Sequence, residues 1–145
     1  VVYDVVKKYE EKAKARQVTV KVKGDRGISK VRGDAQSLER AVTALVDNAI
    51  KFSAQNGEVE IRYSEEGTRV RVSIEDHGIG ISPEIRPRIF DRFFHVDKNG
   101  DQLYSGLGIG LSITRQVIQQ HQGMLEVESE VGKGSKFTIS LLRWR

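Results

Sequence analysis

The chain has 145 residues, about the size of one domain, and at that length a folded chain buries roughly 68–70% of its unfolded surface. It has no cysteine, which excludes a disulfide framework and a thiolate metal site, and no run of about 18 apolar residues that could span a membrane. The net charge of +4 is small and interspersed along the chain, so we expect neither a nucleic-acid partner nor membrane contact.

The first half of the chain predicts an alternation of helices and strands. Residues 2–16 have a charged helical pattern, valines alternate over residues 18–22 as in a half-buried strand, and a second short strand is expected at 29–32. Asp34 is the expected N-cap of the next helix. Apolar residues then recur on one helical stripe: Leu38, Ala41, Val42, Leu45, Val46 and Ala49.

The second half predicts two hairpins separated by a short helix, a loop and a longer helix. The elements expected in order are strands at 59–63 and 70–74 joined by the turn "SEEG" (64–67), a short helix opening at 82–84, a polar loop at 97–107, a helix at 108–121, and a hairpin with strands near 125–127 and 137–141. Strands therefore arrive in pairs with helices between the pairs. This order predicts an α+β fold, a two-layer sandwich with one mixed, mostly antiparallel sheet covered on one face by helices.

The segment "DKNGDQLYSGLGIGLS" (97–112) combines two patterns that bind different ligands. Asp97, Asn99 and Asp101 alternate like the oxygen ligands of a calcium loop. Such a loop needs glycine at its sixth position and glutamate at its twelfth, and Gln102 and Gly108 occupy those positions here. The acidic half is therefore interpreted as a solvated loop.

The glycines Gly106, Gly108 and Gly110 lie where the next helix begins. Glycine lets the backbone approach an anion, and the free N–H groups of a helix N-terminus point toward it. A flexible hinge explains the same spacing equally well. A polar loop precedes these glycines, which excludes a Rossmann motif, and the chain contains no Walker A sequence.

A carboxylate follows the strand at 70–74, in the segment "EDHGIGI". Asp76 stands at the strand end, with Gly78 and Gly80 after it. A buried carboxylate there needs a donor, and either the exocyclic amine of adenine or a backbone N–H of the turn would serve.

An amide, a cation and an aromatic ring share one face at the end of the helix after Asp34. Asn48, Lys51 and Phe52 lie three and four residues apart. They could offer a metal ligand, a phosphate partner and a stacking surface, or they could be a helix end with Phe52 in the core and Lys51 in water.

Five segments taken together resemble the catalytic, ATP-binding domain of sensor histidine kinases, in the wider gyrase, chaperone, histidine kinase and mismatch-repair ATPase superfamily. They are "LVDNAIKFS" (45–53), "DHGIGI" (76–81), "IFDRFFHVD" (89–97), "GLGIGLSI" (106–113) and "GKGSKF" (132–137). Their order and spacing match the asparagine, glycine and phenylalanine boxes of that family over nearly the whole chain.

The resemblance implies roles for residues at matching positions. Asn48 would bind the Mg²⁺ that bridges the ATP phosphates, Lys51 would contact the phosphates, and both count as catalytic. Asp76 would accept the adenine amine, and residues 97–107 would form a mobile lid, poorly ordered without nucleotide. The other nucleotide-binding positions implied are Phe52, Gly78, Gly80, Ile81, Phe90, Arg92, Gly106, Leu107, Gly108, Ile109, Gly110 and Leu111.

The function implied is transfer of the ATP γ-phosphoryl group to a histidine on a separate dimerisation domain of the same protein, for relay to a response-regulator aspartate. Residues 17–145 would be the catalytic domain, monomeric when isolated, and residues 1–16 the tail of the linkage to the upstream domain. Because the chain starts without Met, we expect it to be a fragment of a longer protein. The resemblance implies that this fragment is a cytoplasmic domain of a membrane-anchored bacterial sensor.

The chain departs from the family pattern at Ala44, and it lacks a histidine that fits the phosphoryl acceptor. Many histidine kinases have a second asparagine where this chain has Ala44, and hydrolytic relatives have a general-base glutamate there, so we expect slow intrinsic ATP hydrolysis. An acidic residue follows the acceptor histidine of the family, but none directly follows His77, His95 or His121. None of these three histidines therefore fits the role of acceptor. The alternatives are a degenerate nucleotide-sensing module and an anti-sigma-type Ser/Thr kinase.

Overall fold

The computed structural model describes residues 14, 17–24, 34–53, 56–84, 86–90, 94–96, 102–104 and 110–142. The helices within these residues are α1 (Ala35–Phe52), α2 (Gly110–Gln120) and a short 3-10 helix (Arg86–Arg88). The strands are β1 (Thr19–Gly24), β2 (Glu58–Glu66), β3 (Arg69–Glu75), β4 (Phe94–Val96), β5 (Gln102–Tyr104), β6 (Met124–Glu130) and β7 (Gly134–Leu142).

One five-stranded sheet forms the framework, with strands in the order β1-β2-β3-β7-β6. β1 runs parallel to β2, because α1 carries the chain back between them, and the other neighbouring pairs are antiparallel. Val22, Ile61, Ile74, Phe137 and Val127 lie opposite one another across all five strands. Residues in register share a face of the sheet, so they form a continuous apolar row facing the helices.

Helix α1 begins where the sequence predicts and buries the predicted stripe. The Asp34 side chain accepts hydrogen bonds from the Gln36 N–H at 3.2 Å and from the Ser37 hydroxyl at 2.7 Å. These bonds are the main reason why the pKa of Asp34 is lowered. Seven apolar residues of α1 are buried against the sheet and α2: Leu38, Ala41, Val42, Leu45, Val46, Ala49 and Ile50.

Helix α2 ends in a hydrogen-bonded turn that contains a residue in the left-handed conformation. The Gly123 N–H donates to the Ile118 carbonyl at 2.9 Å, and the Gln122 N–H donates to the Gln119 carbonyl at 3.0 Å. This is the Schellman pattern, whose left-handed position is usually glycine. Gln122 occupies that position here with φ 57°.

The α+β two-layer architecture is confirmed, with one mixed, mostly antiparallel sheet packed against two helices. Helix α1, the β2–β3 and β6–β7 hairpins and the short helix after residue 82 are also confirmed. The expected strand at 29–32 and nearly all of the expected helix at 2–16 lie outside the described residues.

Two predictions were wrong in detail. The turn "SEEG" was placed too early: β2 continues to Glu66, and the chain reverses at Gly67 with φ 61°. Polar residues fit a strand here because one face of this sheet is solvated. The expected loop at 97–107 contains β5, whose backbone pairs with β4 so that Phe94 faces Tyr104 in the register. Side-chain polarity did not prevent this ladder, because backbone groups form it.

Candidate functional site

The site centres on the loop that follows β3. Asp76 is the first residue after the strand, and only 6% of its surface is exposed. Its backbone N–H donates to the Ser135 carbonyl at 2.9 Å, which continues the β3–β7 pairing by one residue. The Gly78 N–H donates to Oδ1 of the Asp76 carboxylate at 3.0 Å. The turn amide considered from the sequence is therefore one partner of this carboxylate.

Burial sets the electrostatics of Asp76. Loss of solvation raises the pKa of its carboxyl group above the ordinary value of 3.8, and hydrogen bonds from the backbone at Gly78 and Ser135 offset this only in part. An ionised carboxylate has about four acceptor sites, so the Gly78 amide does not exhaust it. A ligand N–H that donates to Asp76 would stabilise the charged form. The turn amide and a base amine are thus compatible partners.

The loop passes so close to two other elements that glycine is required. A Cβ on Gly78 would lie 1.7 Å from the carbonyl oxygen of Phe52, in the last turn of α1. A Cβ on Gly80 would lie 2.1 Å from the carbonyl oxygen of Glu130 at the end of β6, and Gly80 has φ 73°. The Ile79 N–H also points to the Phe52 carbonyl at 3.4 Å. Residues 76–81 therefore pack closely between the end of α1 and the end of β6.

The turn between β6 and β7 forms the other wall of the loop. The Gly132 N–H donates to the Ile79 carbonyl at 2.9 Å, and the Ile81 N–H donates to Oγ of Ser129 at 2.7 Å. A Cβ on Gly134, which has φ 119°, would lie 2.0 Å from the Asp76 carbonyl. Residues 75–77 with 128–130 and 133–136 also line an open cleft of about 420 Å³.

The end of α1 brings the predicted phosphate and metal residues to the same region. Asn48 and Phe52 are half-buried one helical turn apart, and the Phe52 carbonyl contacts the Asp76 loop as described. The backbone of Lys51 lies in the last turn of α1. Ala44 is half-buried one turn before Asn48. Among the described residues, no cluster of three His, Cys, Asp or Glu side chains could bind a metal.

Phe90, a predicted nucleotide-binding residue, lies beside α2, which contains Leu111. Phe90 follows the buried Ile89, and both Phe90 and Leu111 pack against the core, as Ile81 does. The Arg115 guanidinium of α2 lies 5.6 Å from the centroid of the Phe90 ring, within the range of a cation–π contact. Gly110 is the first residue of α2. The structure thus places Phe90 beside the helix that follows the glycine segment.

Several predicted residues lie outside the described part of the chain. They are Arg92, Gly106, Leu107, Gly108 and Ile109, together with most of the predicted lid. The expectation that the lid is poorly ordered without nucleotide therefore stays a prediction.

Sequence reasoning did not assign site roles to Ser129 on β6 or to Ser135 on β7. Ser129 and Ser135 contact the Asp76 loop from the chain's C-terminal hairpin. One signal for Ser129 was available: Leu125 and Val127 occupy the inward positions of β6, and Ser129 is the next inward position. A serine continuing an apolar alternation indicates a local polar partner.

A family model described as histidine kinase-, DNA gyrase B-, and HSP90-like ATPase matches residues 33–145. The chain is 36% identical over 126 residues to a methyl sulfide methyltransferase-associated sensor of Methanosarcina acetivorans, covering 87% of this chain and 13% of that protein. It is 33% identical over 141 residues to the sensor-like histidine kinase SenX3 of Mycolicibacterium smegmatis, covering 97% of this chain and 36% of that protein. The chain therefore spans about a third or less of these two relatives.

Solved structures show the same architecture. The catalytic domain of histidine kinase ThkA in a nucleotide-free form superposes with a TM-score of 0.83 at 28% identity, covering 98% of this chain and 90% of that one. ThkA in complex with the response regulator protein TrrA matches with a TM-score of 0.80 at 26% identity, covering 99% of this chain and 39% of that one. Among the described residues, no helix is both long and apolar enough to cross a membrane.

Proposed function

The chain belongs to the histidine kinase-, DNA gyrase B- and HSP90-like ATPase family, and we propose that it is the ATP-binding catalytic domain of a sensor histidine kinase. In this proposal the domain binds Mg·ATP and transfers the γ-phosphoryl group to a histidine on a separate dimerisation domain of the same protein. A response-regulator aspartate then receives the phosphoryl group. The ThkA–TrrA complex supports a response-regulator partner for such proteins.

The observation that carries the proposal is the buried carboxylate of Asp76 at the edge of a glycine-bearing loop. An ionised carboxylate with 6% exposure needs donors, and the exocyclic amine of adenine is a donor. Gly78 and Gly80 keep this loop against α1 and β6, where side chains would collide with backbone. We propose that Asp76 accepts the adenine amine and that Ile81 forms an apolar wall of the base pocket.

Asn48 and Lys51 are the proposed phosphate end of the site. Mg²⁺ commonly uses few protein ligands and keeps phosphate oxygens and water in its coordination shell. A single amide oxygen from Asn48, which is half-buried on α1, is consistent with this coordination preference. When bound, the metal ion would neutralise phosphate charge during transfer. Lys51 would add a positive charge to the same end, and Ala44 offers no carboxylate at its own position to activate water.

The histidines of the chain support an acceptor on another domain. Nδ1 of His121 lies 2.8 Å from the Val117 carbonyl oxygen, and its Nε2 accepts the Asp34 N–H at 3.1 Å, so this ring connects α2 with α1. His77 is exposed and its Nε2 lies 3.7 Å from the Glu75 carboxylate. The side chain of His95 lies outside the described residues. We propose that the acceptor lies upstream, linked through residues 1–16, in a cytoplasmic region of the parent sensor.

Phosphoryl transfer to the upstream domain is the direct test. The chain is mixed with the dimerisation domain of its parent protein and ATP labelled at the γ-phosphate. Acid-labile, base-stable label on the partner is expected. Tight ATP binding without transfer would reject the kinase and support a nucleotide-sensing module, for which Ala44 is the specific feature. Acid-stable label on a hydroxyl would instead support a Ser/Thr kinase.

Asn48→Ala tests the metal assignment in the same assay. We expect at least about a tenfold loss of Mg²⁺-dependent ATP affinity, because the substitution removes an amide ligand of a charged group. Gln116→Ala, which removes an exposed amide from α2, is the matched control and should behave as the unmodified chain. Equal Mg²⁺ dependence in both variants would remove Asn48 as the metal ligand.

A further inference from the structure

Ser129, the next-to-last residue of β6, contacts several segments through its hydroxyl group. Its Oγ accepts the Ile81 N–H at 2.7 Å and lies 2.8 Å from Oγ of Ser135. The same Oγ lies 3.1 Å from the Gly134 carbonyl, to which it can donate its single proton. The Ser129 hydroxyl therefore joins three segments: the Asp76 loop, β6 and the start of β7.

The backbone of Ser129 holds the following segment as well. The Arg86 guanidinium donates to the Ser129 carbonyl, and the Arg86 backbone N–H donates to the Ser82 carbonyl at 3.0 Å. Residues 81 and 86 are thus tied to the same residue of β6. The 3-10 helix Arg86–Arg88 leads directly to Ile89 and Phe90, so Ser129 also contacts the segment that connects the Asp76 loop with Phe90.

We propose that Ser129 is a positioning residue for adenine recognition, which rests on the function proposed above. The Asp76 loop is held at four points, namely the Ser135 carbonyl, the Phe52 carbonyl, the Gly132 N–H and the Ser129 hydroxyl. The first three are backbone groups and persist when a side chain is replaced. The fourth is a side chain, and removing it leaves the part-buried Ile81 N–H without that acceptor.

The consequence is a loop that can move relative to Asp76. Without the Ser129 hydroxyl, Ile79 keeps its 3.4 Å contact with the Phe52 carbonyl and its hydrogen bond from the Gly132 N–H. The hydrogen bond that holds Ile81, at the other end of residues 79–81, is lost. The position of the base relative to the Asp76 carboxylate becomes less defined. Adenine donates an amine at this edge, whereas guanine presents a carbonyl oxygen, so a poorly defined position lowers selectivity for ATP over GTP.

The first experiment needs no nucleotide. Backbone amide hydrogen exchange is compared between the unmodified chain, Ser129→Ala and the matched control Ser73→Ala. Ser73 is a half-buried strand serine whose hydroxyl lies 3.5 Å from the Arg62 carbonyl, a long contact for a hydrogen bond. We expect exchange of the Ile81 amide to accelerate by on the order of tenfold in Ser129→Ala and to stay unchanged in Ser73→Ala. Unchanged protection of Ile81 in Ser129→Ala would overturn the proposal.

The second experiment measures affinities for ATP and GTP in the same variants. A general loss of stability lowers the folded fraction and weakens both ligands equally, so the ratio of the two affinities isolates positioning. We expect Ser129→Ala to lose about tenfold in ATP affinity and less than about threefold in GTP affinity. Ser129→Thr keeps a hydroxyl on a strand and should restore both the ratio and the Ile81 protection.

These outcomes separate the two proposals. A chain that fails to bind ATP rejects the proposed function, while exchange at Ile81 still reports whether Ser129 anchors the loop. A chain that binds ATP selectively, with the same ratio in Ser129→Ala, rejects the positioning role and leaves the proposed function intact.

Discussion

Replacing Gly78 with alanine tests the closest approach in the site. The added Cβ would lie 1.7 Å from the Phe52 carbonyl oxygen and 2.6 Å from its carbonyl carbon. Both are backbone atoms in the last turn of α1, so no side chain can rotate away. Separation must rise to at least 3.0 Å, a displacement of about 1.3 Å of the loop or of the helix end.

This displacement is large compared with the tolerance of a binding site. A misplacement of about 1 Å can cost on the order of 100-fold in a positioned reaction, and forced overpacking typically costs about 1–3 kcal/mol of stability. The movement also separates the Ile79 N–H from the Phe52 carbonyl, now 3.4 Å apart. We therefore expect Gly78→Ala to lower ATP affinity by about 10- to 100-fold while the domain stays folded.

Gly67→Ala is the matched control for this experiment. Gly67 lies in the β2–β3 turn with φ 61°, and a Cβ there meets nothing within 4 Å. It should lower the free energy of unfolding by about 1 kcal/mol through backbone strain alone and leave ATP affinity unchanged. Titration calorimetry with ATP and urea unfolding measure both quantities. ATP affinity of Gly78→Ala within twofold of the unmodified chain would refute the reasoning.

Two further substitutions separate stability from ligand binding. Asp76→Asn keeps an oxygen for the Gly78 N–H but turns a donor toward adenine, so ATP affinity should fall by at least about tenfold, and unchanged affinity would remove the adenine assignment. Burial raises the pKa of Asp76 in the folded state, so the unfolded chain loses this proton at a lower pH than the folded chain does. The free energy of unfolding of the unmodified chain therefore falls as pH rises from 3.8 through the raised value. Asp76→Asn lacks this titration, so urea unfolding should show it becoming more stable relative to the unmodified chain over that window. Gln122→Gly should raise the free energy of unfolding by about 0.5–1 kcal/mol, because φ 57° strains a residue with a Cβ more than glycine loses in entropy. ATP affinity should not change in Gln122→Gly, and equal or lower stability would contradict this account.

Local sequence patterns were enough to predict the elements whose cause is local. The apolar stripe of α1 and the cap at Asp34 specify that helix, and both are present in the structure. Alternation identified β2, β3 and the strands of the last hairpin, because side chains on a half-buried strand must alternate. The order of these elements was enough for the α+β class, and the motifs in order were enough for the family.

Contacts between segments far apart in the chain could not be predicted from these local patterns. The pattern of β1 did not reveal that its neighbour is β2 across α1, since alternation reports burial of a face and not the partner strand. Gly78 was recognised as part of a motif, but its purpose, clearance for the Phe52 carbonyl, depends on two backbones 26 residues apart in the chain. The anchoring of Ile81 by Ser129 is likewise a contact across 48 residues. Local patterns specify helices, strands and their buried faces, whereas the close contacts that hold the Asp76 loop exist only once the sheet and α1 have packed together.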